Sequence, residues 1–105
     1  MIQLDKDNFE TQVLKWPEKT LVFFTGEGWA PCEAIKPFVA VCNEKYGDKI
    51  RFASLDTAKA KRLALSQKVM SLPTIAMYEG GQKVDSILKD GIAEKSIEAF
   101  IQRHI

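Results

Sequence analysis

Apolar and polar positions along the chain change period several times, and each change marks an element. Ile2 to Leu4 is apolar at both ends, as in a brief strand. Asp7 and Glu10 have capping-box spacing, which predicts a helix carrying Phe9, Val13 and Leu14 on one face. Trp16-Pro17 ends it, because the residue before a proline is driven out of helical backbone. Leu21 to Thr25 opens with consecutive apolar residues, the pattern of a strand covered on both sides. From Pro31 to about Tyr46 the residues Ile35, Phe38, Val39 and Cys42 recur at helical spacing, and Gly47-Asp48 stops the run.

Lys49 to Leu55 returns to alternation, with Ile50, Phe52 and Ser54 set against Arg51, Ala53 and Leu55. Asp56-Thr57 is expected to open a helix running through Leu63, Ala64 and Lys68. Pro73 to Tyr78 and Lys83 to Leu88 read as strands joined by Glu79-Gly80-Gly81-Gln82, a hairpin signal. Glu94 to His104 closes as a helix with Ile97, Phe100 and Ile101 inward. The order β-α-β-α-β-α-β-β-α predicts an α/β fold, a mixed central sheet flanked by helices on both faces.

A chain of 105 residues is expected to form one domain, 1–105, with a single core. Its formal charge of +1 argues against nucleic acid or an anionic membrane as a partner. The longest unbroken apolar run, Phe38 to Cys42, falls far short of the ~20 residues of a membrane span. Asp5, Lys6, Asp7 and Glu10 make a poor secretory signal, so a cytoplasmic location is expected. Cys32 and Cys42 lie in one helix, roughly 15 Å apart by helical rise. A disulfide needs Cα atoms within about 7 Å, so both are expected as free thiols, which suits a reducing compartment. Lys59, Lys61 and Arg62 read as a solvated helix face, and Cys42 as core. His104, the one histidine, has no cysteine or carboxylate at ligand spacing. With no metal-binding pattern, phosphate loop or Ser-His-Asp set, neither metal nor cofactor is expected.

Chemistry concentrates after the apolar strand, in Thr25-Gly26-Glu27-Gly28-Trp29-Ala30-Pro31-Cys32-Glu33, followed by a helix with an internal proline, Pro37. Leu55-Asp56, Ser71-Leu72-Pro73-Thr74, the hairpin glycines and Gly91 follow in order. In these features the chain resembles the thioredoxin family, whose signature Trp-Cys-Gly-Pro-Cys-Lys leads into a proline-containing helix. The resemblance implies the thioredoxin fold over essentially the whole chain. It also implies a protein-disulfide reductase of cell redox homeostasis, working as a monomer between a thioredoxin reductase and protein disulfides, without a cofactor.

In that register Gly28 falls on the family's Trp, Trp29 on its attacking Cys and Cys32 on its resolving Cys. In relatives the first cysteine stands at a helix N-terminus, where unpaired N–H groups and the helix dipole favour a thiolate. That thiolate attacks a disulfide, and the second cysteine resolves the mixed disulfide. An indole does neither, so the dithiol cycle should be blocked, with Trp29 expected to pack over the helix end and shield the sulfur. An ordinary cysteine is only about 3% thiolate at pH 7, so Cys32 alone is expected to be a slow nucleophile. The alternatives are a monothiol enzyme acting through Cys32 and a non-enzymatic module that holds a peptide. The resemblance places a cis peptide at Leu72-Pro73, with the Leu72 backbone open to strand addition. The groove would then be Ala30, Pro31, Leu72 and Pro73 beside Trp29. Two residues that assist proton transfer in many relatives, an Asp and a Lys, are replaced by Phe23 and Phe52. Some atypical thioredoxins, including those of amino-acid-fermenting anaerobes, also depart from the usual residues around the Cys pair. Glu33 replaces the usual base after the second Cys, and a carboxylate there would disfavour a thiolate.

Overall fold

A computed structural model describes residues 1–105. Strands β1 (Ile2–Leu4), β2 (Lys19–Thr25), β3 (Arg51–Asp56), β4 (Thr74–Glu79) and β5 (Gln82–Leu88) form one sheet in the order β1-β3-β2-β4-β5. The first three run parallel, β4 is antiparallel to β2, and β5 is antiparallel to β4. Helices α1 (Ala30–Tyr46), α2 (Lys61–Ser66) and α3 (Glu94–Gln102) connect and flank them. This is the mixed, helix-flanked sheet that the hydrophobic pattern predicts.

Period-two alternation divides the central strands between two apolar layers. Val22 and Phe24 of β2 join Phe9, Val13, Ala64 and Tyr78 on one face. Leu21 and Phe23 join Val39 and Cys42 of α1 and Ile97, Phe100 and Ile101 of α3 on the other. Each large side chain so buried contributes about 1.5–3 kcal/mol. A strand covered on both faces has no polar side to show, which is why β2 is apolar from Leu21 to Phe24.

Three local expectations are corrected. The expected capping box of Asp7 and Glu10 does not form; Asp5 and Asn8 instead cap each other in the turn that leads into the first helix. Asp5 Oδ1 accepts the N–H groups of Asp7 and Asn8, and Asn8 Oδ1 accepts the Asp5 N–H, each at 2.8 Å. The helix is a short wide turn over Glu10–Leu14, closed by the Lys15 N–H donating to Glu10 O at 2.8 Å. The single helix expected after Asp56 is instead a tight turn, Thr57–Lys59, followed by α2. Asp56 caps the turn by accepting the Ala58 N–H at 3.1 Å. Lys68 lies beyond α2 in left-handed backbone, φ 61°. The last helix ends at Gln102 rather than His104. Arg103 Nε donates to Asp85 Oδ2 on β5 at 2.8 Å, and His104 Nε2 lies 2.7 Å from the same oxygen. His104 therefore does have a carboxylate partner, brought to it by the fold.

The β4–β5 hairpin turns on Gly80 and Gly81, both at positive φ (61° and 82°). A Cβ on Gly81 would sit 2.1 Å from the Leu14 carbonyl oxygen. Glycine is needed there for close approach as well as for the turn.

Candidate functional site

The carboxyl end of β2 delivers the chain into Gly26–Gly28, where the Trp29 N–H donates to Gly26 O at 3.0 Å. Gly28 has φ 78°, which a side chain would strain. Trp29 then takes extended backbone as the N-cap of α1, its carbonyl accepting the Cys32 and Glu33 N–H groups at 3.0 Å each. Pro31 sits in the first turn, where a missing N–H costs nothing. Glu33 Oε1 reaches back to accept the Gly28 N–H at 3.0 Å and also meets Lys36 Nζ at 3.1 Å. The Gly28 N–H, and after it Lys36, hold the Glu33 carboxyl below the usual carboxylate range. Sequence reasoning missed this loop clasp, for which an acidic residue in a helical first turn is the only local signal.

Cys32 is fully buried, whereas Trp29 is 52% exposed. The indole is thus not packed down as expected and keeps half its surface in solvent. Ala30 and Pro31 are exposed beside it. The Leu72-Pro73 peptide is cis, in agreement with the resemblance. Leu72 is half-buried and Pro73 buried, so Leu72 offers contact while Pro73 shapes the loop. The Leu72 N–H and carbonyl make no backbone hydrogen bond, while the neighbouring Pro73 carbonyl accepts the Lys89 N–H at 2.8 Å. An open N–H and carbonyl next to a strand are what strand addition uses.

Gly26 joins the two halves. A Cβ there would lie 3.1 Å from Leu72 Cδ1 and 3.6 Å from Trp29 Cβ. Trp29 and Leu72 therefore approach each other over Gly26, where a side chain would crowd the Leu72 methyl. Behind it, Phe23 and Phe52 are buried in the layer that α1 covers. Cys42 is in that layer too, and burial, with Glu98 adding to it, pushes its thiol up to about 11. Both cysteines are free.

Residues 1–103 match the family described as Thioredoxin. The chain belongs to the thioredoxin family. It is 45% identical over 105 residues to a thioredoxin of Acetoanaerobium sticklandii, with all of both chains covered. A thioredoxin of Peptoclostridium acidaminophilum is 40% identical over 105 residues, covering all of this chain and 96% of that one. A solved structure of Plasmodium falciparum thioredoxin superposes with a TM-score of 0.90 at 24% identity, covering both chains completely, which speaks to the thioredoxin fold. Family membership assigns the chain to the thioredoxins, the thiol-disulfide oxidoreductases. No helix is long and apolar enough to cross a membrane.

Proposed function

We propose that this thioredoxin keeps the substrate groove of a protein-disulfide reductase and lacks a working dithiol. Trp29 takes the place of the attacking cysteine, Cys32 that of the resolving cysteine, and Ala30, Pro31, Leu72 and Pro73 form the groove with Trp29. The observation that carries the reading is the N-cap of α1, which holds an indole where the chemistry needs a thiolate. The remaining thiol, Cys42, is ten positions along the same helix from Cys32, roughly 15 Å by helical rise. Cys32 therefore has no partner with which to close a disulfide and release a reduced product.

The groove itself is intact. Half-exposed Trp29 and the unpaired Leu72 backbone favour a protein that engages extended disulfide-bearing segments, and a reductase, without completing the exchange. Complete burial of Cys32 counts against a monothiol enzyme. The test is insulin-disulfide reduction with NADPH and thioredoxin reductase, run on this chain beside Trp29→Cys. The chain as it stands should be nearly inactive. The variant places thiols three positions apart on the first turn, within disulfide reach, and should turn over. Comparable rates for the two proteins would defeat the proposal.

A further inference from the structure

A second concavity, of about 420 Å³, lies between α1 and the sheet toward the carboxyl ends of β2 and β3. Small-molecule sites typically occupy about 300–1,000 Å³. Its buried wall is apolar, formed by Phe23 and Val39. Its outer wall carries two cations, Lys36 and Lys59, and two carboxylates, Glu27 and Asp56. None of these four pairs with another. The ion pair of Lys36 is with Glu33, outside the cleft, and Lys59, Glu27 and Asp56 have none. Asp56 uses Oδ1 to cap its turn, which leaves Oδ2 without a partner. Thr25 also lines the cleft, and its buried Oγ1 has no hydrogen-bond partner, a condition that buried hydroxyls rarely sustain.

The side chains of the outer wall carry two charges of each sign, which gives the cleft no strong preference for a simple anion or cation. Opposite charges that share a wall without touching suit a molecule carrying both. We propose that the cleft binds a small zwitterion, with a carboxylate and an ammonium group on a short scaffold bearing an apolar branch. The carboxylate lies toward Lys36 and Lys59, and the ammonium toward Glu27 and Asp56. The branch rests on Phe23 and Val39, beside Thr25. Phe23 is what makes this possible, since a carboxylate at that position would put a third negative charge against the apolar branch. The site shares none of the groove residues and stands apart from the reading of Trp29.

An amide-resolved NMR titration with L-leucine tests it, alongside isocaproate and isoamylamine, which each carry one of the two charges. Leucine should give saturable shifts at Gln3, Thr25 and Ser54, and each single-charge probe should bind about fivefold more weakly or worse, the size expected of one exposed ion pair. Lys59→Gln and Glu27→Gln should each weaken leucine binding roughly fivefold without altering the spectrum elsewhere. Non-saturating or dispersed shifts, equal binding of the single-charge probes, or variants that bind leucine unchanged would overturn the proposal.

Discussion

The Glu33 carboxylate accepts the Gly28 N–H across the start of α1, closing a ring around Trp29. The loop that presents the indole is thereby tied to the helix that carries Cys32. Lys36, one turn on, donates to the same carboxylate oxygen.

This clasp should titrate. The Glu33 carboxyl lies below its usual range because the Gly28 N–H and Lys36 favour its charged form. The contact is therefore fully present above the ordinary glutamate pKa of about 4.3 and is lost as pH falls through the lowered value. The Gly28 amide resonance should move with that lower midpoint, and Glu33→Gln should abolish the movement. A Gly28 amide that titrates unchanged in the variant would show that another group controls the loop.

Thiol labelling should separate the two cysteines. Cys42 is 1% exposed and its thiol is pushed up to about 11, first by burial and then by Glu98. In Cys32→Ser, a bulky maleimide at neutral pH should therefore label nothing until the chain unfolds. In Cys42→Ala, Cys32 should label slowly, because its side chain is fully covered in the native fold. Mass spectrometry over time reads both, and rapid native labelling of Cys32 would revive the monothiol enzyme.

Asp85 fastens the end of α3 to β5 through Arg103 and His104. Arg103 above all holds its carboxyl below the usual range, and His104 and the Ser86 N–H help it to outweigh burial, the second-largest influence, which acts in the opposite direction. A depressed folded pKa stabilises above the unfolded value and fades as pH falls through the folded one. Asp85→Asn should cost about 1 kcal/mol near neutrality, after allowance for solvent screening, and almost nothing in strong acid. Urea denaturation at the two pH values checks this.

Phe23→Asp would place a carboxyl in the apolar layer beneath α1. The lost packing and the stranded polar group should together cost about 3 kcal/mol or more at neutral pH. Desolvation raises the pKa of such a carboxyl, so the penalty should shrink as pH falls toward that of an ordinary aspartate, about 3.9. Phe23→Asn, which cannot ionise, should show no such recovery in a parallel denaturation series.

The elements legible in the sequence were those whose signal is local and repeated. The apolar run of β2, the helical spacing through Val39 and Cys42, and the glycine pair of the hairpin all fall where expected. The cis bond at Leu72-Pro73 followed from the resemblance rather than from any periodicity. What escaped was decided by competition or by distance. Asp5 and Asn8 cap each other two positions before the expected box, since Asp5 can satisfy two N–H groups at once. The chain beyond Asp56 breaks because a tight turn precedes α2, and Lys59 consequently leaves the anticipated helix face for the cleft. The Asp85 partnership of His104 joins residues 19 apart that no spacing rule connects. Within the site, Trp29 and Cys32 could be placed from the motif, but the exposure of the indole and the Glu33 clasp depend on how the loop folds.

Gly81 has a practical consequence for anyone wishing to graft a peptide or a tag into this scaffold. The β4–β5 turn is a two-glycine tip, ordinarily the kind of place where added sequence is tolerated. Here the tip is seated against the Leu14 carbonyl, with no room for even one methyl group. An insertion there would pry the hairpin from the N-terminal helix and disturb the layer anchored by Phe9 and Val13. Gly91, by contrast, has nothing within 4 Å of where its Cβ would stand, making the turn before α3 the more permissive port.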